Sequence, residues 1–500
     1  MKKLLCILLL LSMLSMSLIG CKVGGNSGDT NVGTIDTTIG DAEELKYVAE
    51  LPELNYDGEI VRMASRDKVG FSDEFYTDGL EGAVSTAVFK RNSKVEETLG
   101  VKLEVTPIKD LNANTHSTVI ETVEKEIMSG SPESFDLVAA PALTVPMGVG
   151  MNLFANLNDL EYVNLSKLYW AQGYNEYFSA GNQQYTATGA ATLTVYRFMY
   201  ITVINTKVLE DNKIDSIYNV VKEGNWTLEY QANLAKMLYA DENGDGECDI
   251  DDQYGFVSGA RTSVDSYWTS TNTSCVSKST DNYFLYSMNQ ERISNMVDKM
   301  LNLFYDCGGS YIIPATKDGT DNADIVDVFS RNKTAMATMM INTLETQLKD
   351  HKLEYEIAPM PKYDEDQQRY YSHVQDQVTV LCIPITKTGD RLQMLGAVME
   401  CMAYEGYREL YTSYFENILP YRYLQSNESA EMLNLVYECI DFSFVGMHNV
   451  TNVGWSTMLR SMARDEINLT SSMLASSAKN AAQNVEEFNA IYRELSQKQQ

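Results

Sequence analysis

Two hydrophobic rhythms alternate along the first third of this chain. Glu59 to Ala64 reads as a short strand, and Val101 to Pro107 alternates Val101, Leu103 and Val105 with polar residues. Between them Ala87 to Leu99 has helical spacing, and His116 to Met128 is amphipathic. Phe135 to Ala140 is a continuous run of strand length that stops at Pro141. Strand, helix, strand, helix, strand is the order of a mostly parallel sheet covered by helices.

The alternation continues. Leu193 to Ile204 is long and β-branched, which predicts a strand rather than a helix interior. Trp226 to Ala240 and Gln290 to Tyr305 read as helices. Tyr254 to Val257, Thr334 to Met340, Tyr355 to Ala358 and Gln377 to Ile383 read as strands. After Lys387 the spacing is mainly helical, and no internal repeat is visible.

One apolar run obeys neither rhythm. Met1-Lys2-Lys3 is followed by apolar residues from Leu4 to Leu18 and then by Leu18-Ile19-Gly20-Cys21. A basic start, a short apolar core and small residues before a cut site make a secretory signal, expected over residues 1–20. The run is shorter than the roughly 20 residues that span a membrane. Cys21 after Leu-Ile-Gly resembles a bacterial lipobox, which implies acylation of Cys21 and a membrane, cell-surface location. Residues 22–44 are rich in Gly, Ser, Thr, Asn and Asp without periodicity, so 21–54 is expected to be a flexible, lipid-anchored linker.

Composition then removes some partners. The formal net charge is −30, which repels nucleic acid and anionic lipid headgroups. Of eight cysteines, the six beyond Cys21 are widely spaced with no CxxC pair, so neither a zinc ribbon nor a thioredoxin-like site is indicated. No GxSxG, P-loop or HExxH motif occurs, and the four histidines are scattered.

One motif carries its own chemistry. Asp241-Glu242-Asn243-Gly244-Asp245-Gly246-Glu247-Cys248-Asp249-Ile250-Asp251-Asp252 sets side-chain oxygens at loop positions 1, 3, 5, 9 and 12, with Gly at 6. That is the EF-hand register for calcium, with Asp241, Asn243, Asp245, Glu247 (through its carbonyl), Asp249 and Asp252 as ligands. Asp252 at the last position is shorter than the usual Glu. The segment that follows, Gln253-Tyr254-Gly255-Phe256, reads as a strand, so a structural rather than sensing ion is expected.

The order of segments resembles the family 1 extracellular solute-binding proteins of ABC importers, the maltose-binding-like class. The resemblance covers about residues 55 to 500. Its carriers are Phe135 to Ala140 before Pro141, Tyr196 to Asn205, Asn225-Trp226-Thr227-Leu228-Glu229, Phe329 to Met336, Ile357-Ala358-Pro359-Met360-Pro361, and Trp455 with its helix. Two places depart from the family pattern: Asn332 stands where Gly is usual, and Ile341-Asn342-Thr343 stands where Gly-Trp is usual. The family often carries an insertion like the acidic loop before a Tyr-Gly-Phe strand.

The resemblance implies an α/β, two-lobed periplasmic-binding-protein-like fold (class II), with the ligand between lobes. Expected lobes are 55–192 with 353–412, and 193–352 with 413–500. It implies a monomeric, non-enzymatic protein that captures a carbohydrate, an oligosaccharide by expectation, for the permease subunits of an ABC transporter. Sugar sites combine aromatic rings with planar polar groups. On loops expected to face the cleft, the candidates are Arg66, Asp67, Arg197, Trp268, Asn342, His373 and Trp455. Trp170 and Trp226 read as packing residues. Arg66, Asp67 and Arg197 equally fit ion pairs. A lipid-anchored glycan-active enzyme, a dockerin-like module and a binding protein for a non-sugar solute are the competing readings.

Overall fold

A computed structural model of the chain describes residues 47–498, except 69, 78, 80–81, 112–115, 131–133, 314–321, 419–426 and 449–453. The leader and Cys21 lie outside the described residues. Among the described residues no helix is long and apolar enough to cross a membrane.

Two sheets organise the described body. Strands are numbered in chain order: β1 (Glu59–Asp67), β2 (Val101–Lys109), β3 (Leu137–Pro141), β4 (Tyr200–Asn205), β5 (Tyr254–Gly259), β6 (Ser310–Ile313), β7 (Thr334–Met340), β8 (Tyr355–Ala358) and β9 (Thr379–Cys382). The first sheet has the order β9-β3-β1-β2, with β1, β2 and β3 parallel and β9 antiparallel. The second has the order β6-β5-β7-β4-β8, where β5, β6 and β7 are parallel and β4 runs against β7 and β8. Each sheet anchors one lobe.

Burial follows position in the sheet. Every residue of β3, β4 and β5 is buried, as expected for strands covered on both faces. β2 is an edge strand, so it alternates and tolerates Pro107. Helix Leu228–Met237 starts where Thr227 Oγ1 accepts from Tyr230 N, a side-chain N-cap. It lies so close to β5 that a Cβ on Gly255 would sit 2.2 Å from Ala235 Cα. That contact explains the Tyr-Gly-Phe strand. Trp226 packs as expected, with Nε1 donating to Pro359 O at 2.9 Å.

The chain passes between lobes at 193–199, at 374–378, and along the helical run after β9. The expected first-lobe segment 353–412 is corrected here. β8 pairs with β4 in the second sheet, because Ala358 and Ile357 lie opposite Thr202 and Val203. The chain returns to the first sheet only at β9.

The segment 193–204 is also not one strand. Thr194–Arg197 is a helical turn, and the strand starts at Tyr200. The cause is a long-range acceptor that local propensity cannot encode. Glu74, fully buried, takes hydrogen bonds from Leu193 N (2.9 Å), Thr194 N (2.8 Å) and Thr194 Oγ1 (2.8 Å), and also from Thr379 Oγ1. Thr379 N in turn donates to Thr194 Oγ1 at 2.8 Å. Arg91, also fully buried, donates to Ala191 O and to Glu74 O at 2.7 and 2.8 Å. Burial lowers its pKa to about 10, with Glu74 opposing that shift. The first and second crossovers are thus tied to one carboxylate on the first lobe. The six cysteines beyond Cys21 are free thiols.

Glu74→Ala strips several buried donors of their acceptor at about 1–3 kcal/mol each. We expect a loss of about 3 kcal/mol or more in urea unfolding. A loss under about 1 kcal/mol would remove Glu74 from its place as the hinge pin.

Candidate functional site

β1, β3, β5 and β7 end at Asp67, Pro141, Gly259 and Met340, the carboxyl edges of the two sheets. In open parallel sheets this is where ligands bind. The segment His373–Val378 runs between the two ends. On one side Leu143 N and Ala142 N donate to Asp376 O and Val378 O, both at 2.9 Å. On the other, Gln375 N donates to Phe198 O at 3.0 Å.

Arg66, last but one in β1, organises the first lobe's side. Its Nε and Nη2 donate to Asp110 Oδ2 at 2.9 and 2.7 Å, and Nη2 also reaches Gln377 Oε1 at 3.0 Å. His116 Nδ1 lies 2.9 Å from Arg66 Nη2 and 3.0 Å from Asp110 Oδ2. The guanidinium rests 4.1 Å from the Phe71 ring centroid, and Phe71 meets Phe198 edge-on. Burial lowers the Arg66 pKa against the opposing pull of Asp110. Burial would raise Asp110, but Arg66 and His116 hold it below the usual carboxylate range. Burial also lowers His116.

The second lobe supplies a matching pair. Arg460, on helix Trp455–Asp465, grips Asp265 with Nε at 2.9 Å from Oδ1 and 3.1 Å from Oδ2, and Nη2 on Oδ2. His373 bonds Thr269 Oγ1 through Nδ1 at 2.8 Å and stacks on Tyr200. Burial and then Arg460 push His373 down to about 3, so its ring is neutral at physiological pH. Asp376 sits in the fields of Arg460, Asp265 and Arg66, two of them on the second lobe and one on the first. Burial raises its pKa to about 7.

The structure treats the expected contacts unequally. It brings Arg66 and His373 into one charged seam with Asp110, Gln377, Asp376, Asp265 and Arg460. Trp268 adjoins that seam through Thr269, yet it is buried and borders a cavity of only about 20 Å³. Trp455 is buried against Tyr286, with ring centroids 6.0 Å apart. Neither indole presents an open face, so the expected stacking role is not displayed. Asn342 lies just past the end of β7, facing the crossover, where Ile341 N donates to Met199 O at 3.0 Å. Asp67 is outside the seam, opposite Lys109 in the β1–β2 register. Arg197 is elsewhere too. It donates to Asp73 at 2.8 Å and lies 3.6 Å from Glu345, so it is a lobe-to-lobe ion-pair centre.

Several buried polar atoms at these facing ends have no hydrogen-bond partner: Arg66 Nη1, Trp268 Nε1, Asn342 Oδ1, Trp455 Nε1 and Ser456 Oγ. Each such atom costs about 1–3 kcal/mol when dry. These atoms leave bonding capacity unused in this arrangement. Asp110 and His116 share one stretch and Asp376 and Gln377 are adjacent, but Asp265 and Arg460 lie far from both, so no spacing motif joins the six.

In the acidic loop the side-chain oxygens face the loop's own amides. Asp241 accepts from Gly244 N and Gly246 N at 2.6 and 3.0 Å, and Gly246 has φ 79. Asn243 and Asp245 accept from Asp245 N and Glu247 N at 3.0 and 2.8 Å. Asp252 accepts from Glu242 N at 3.2 Å and Tyr239 Oη at 3.1 Å. Among the described residues no three His, Cys, Asp or Glu side chains converge as a metal would require.

Comparison with known proteins agrees with this architecture. No family model matches the chain. No curated protein matches it by sequence. Solved structures do. A cyclic α-maltosyl-1,6-maltose binding protein from Arthrobacter globiformis aligns at TM-score 0.55 and 11% identity, over 87% of this chain and 99% of its own. A sugar transporter from Rhizobium etli in an open conformation aligns at 0.54 and 12%, over 87% and 99%. The galacto-N-biose-/lacto-N-biose I-binding protein of an ABC transporter from Bifidobacterium longum aligns at 0.52 and 11%, over 88% and 96%. At these identities the likeness establishes the fold: the chain has the two-lobed fold of ABC-importer solute-binding proteins.

The raised pKa of Asp376 sets a pH dependence. An unfolded Asp releases its proton near pH 3.9, whereas folded Asp376 holds it to about pH 7. The folded state binds more protons across that window, so this group's contribution to stability falls as pH rises from about 4 to 7. Asp376→Asn should flatten that fall in melting temperature, measured against pH. Identical slopes in variant and parent would count against a raised pKa at Asp376.

Proposed function

We propose that this chain is a lipid-anchored, extracellular solute-binding protein that captures a carbohydrate, an oligosaccharide, and delivers it to an ABC importer. The observation that carries the reading is the interlobe seam. Arg66 of the first lobe bonds Gln377 of the second crossover, Arg460 grips Asp265 on the second lobe, and Asp376 lies in the field of both arginines. Planar groups carrying several donors and acceptors match the hydroxyls of a sugar. A guest that bonds both ends stabilises the closed arrangement, because only closure satisfies both sets at once. The structural neighbours support the class. One is named for binding a cyclic maltosyl-maltose, and another was solved with lacto-N-biose. These neighbours are binding proteins, which supports a non-enzymatic role.

Two further parts of the reading rest on sequence. Cys21 would carry lipid after removal of residues 1–20, fixing a monomer to the outer face of the cell membrane near the importer's permease subunits. The loop Asp241–Asp252 would hold a structural calcium ion through Asp241, Asn243, Asp245, Glu247, Asp249 and Asp252. A dication there would relieve the mutual repulsion of these acidic residues.

A thermal-shift screen over mono- and oligosaccharides tests the function. At 100 times Kd a ligand adds about 2.7 kcal/mol of stability. A sugar that raises the melting temperature without being consumed supports binding. Product formation would instead support a glycan-active enzyme, and a response only to peptides or polyamines a non-sugar carrier. Asn342→Ala should weaken binding of the responding sugar about tenfold, or ~1.4 kcal/mol, with an unchanged melting temperature. An unaltered Kd would remove Asn342 from the site. For calcium, EDTA should lower the melting temperature and added calcium restore it; an insensitive transition overturns that assignment.

A further inference from the structure

A second crevice, of about 270 Å³, opens behind the hinge and shares no lining residue with the seam. Tyr47, Tyr169, Trp170, Tyr196 and Tyr437 wall it with aromatic rings. Gln172, Arg369 and Glu438 stand among the polar groups of its lining. The walls are held from behind. Tyr169 Oη and Trp170 Nε1 both bond the buried carboxylate of Glu400, the latter at 2.9 Å. Tyr47 stacks on Tyr407 with ring centroids 4.8 Å apart. Tyr196 packs among Tyr411, Tyr414, Phe415 and Tyr437. Rings fixed in this way form a pre-organised surface.

The buried Tyr196 hydroxyl interacts with Tyr437, another residue of the lining. Exposed Arg369 lies 3.4 Å from Asp441 and 4.4 Å from the Tyr371 ring centroid, and exposed Glu438 shares the same lining. Aromatic faces, one buried hydroxyl, a cationic fork and a carboxylate are the parts of a sugar-ring site. The volume lies below the ~300–1,000 Å³ of pockets for larger ligands, so it suits one ring.

We propose that this crevice is a second binding site, for a single pyranose unit, built at the hinge. The proposal rests on the carbohydrate reading only for the class of ring. The walls belong to different parts: Leu168–Gly173 and Gly189–Ala190 to the first lobe, Val195–Tyr196 to the first crossover, and Tyr437–Ile440 to the helix that packs on β8 and to the strand beyond it. A ring bound there touches all three, so its affinity and that of the cleft are coupled reciprocally.

Saturation-transfer NMR on the full chain in detergent micelles, with glucose, galactose and N-acetylglucosamine as probes, tests the site. At least one probe should show saturable transfer, and the exposed double variant Arg369→Ala/Glu438→Ala should raise its Kd at least fivefold. Asn342→Ala should leave that Kd unchanged while weakening the cleft's oligosaccharide. Absence of transfer from all three probes overturns the proposal. So does a monosaccharide signal lost with Asn342→Ala and indifferent to the double variant, which places the sugar in the cleft. Failure of every oligosaccharide in the thermal screen with a persisting Arg369-dependent signal would defeat the cleft reading alone.

Discussion

A carboxylate taken fully out of water is stable only when its lone pairs are filled, and Glu74 fills them with donors from the first crossover and from Thr379 at the start of β9. Everything else about the two lobes depends on that arrangement. The loop bearing Glu74 follows β1, so the end of β1 that presents Arg66 and the first crossover are fixed in one frame. Thr194 and Thr379 then bond one another. The second crossover therefore inherits its position from the same group. Burial raises the Glu74 pKa, while the hydrogen bonds from Thr379 and Thr194 favour the ionised form.

The seam built on this frame has a consistent electrostatic logic. Each guanidinium is paired with a carboxylate of its own lobe, Arg66 with Asp110 and Arg460 with Asp265. Such internal pairing lets each charge be buried without a partner across the gap. Within the seam, each of these two guanidiniums is balanced inside its own lobe. Asp376 is the exception, since it lies in the fields of both arginines.

Much of the fold was legible in the sequence because strand and helix periods are local. β1, β3, β7 and β8 lie where their apolar patterns put them, and Trp226 packs at its helix start as its context suggested. The misreadings have one cause. The helical turn at Thr194–Arg197 is imposed by Glu74, 120 residues away from Thr194, and the place of β8 is imposed by β4. Of the site, Arg66 and His373 could be found because they interrupt or adjoin apolar strands. Arg460 could not, because on an amphipathic helix an arginine looks like a solvated residue until Asp265 is placed beside it. Trp268 and Trp455 looked like stacking platforms from their loop positions, but the surrounding chain closes over both.

The Arg197 ion pairs carry a mechanical meaning. Asp73 moves with the first sheet and Glu345 with the second, and Arg197 stands on the crossover between them, holding one at 2.8 Å and lying 3.6 Å from the other. Charge attraction of this kind is steep at short range and flattens within a few ångströms. A lobe rotation that lengthens either contact must first climb that steep part. The hinge then behaves as a detent with a preferred angle, and small thermal rocking is returned to it.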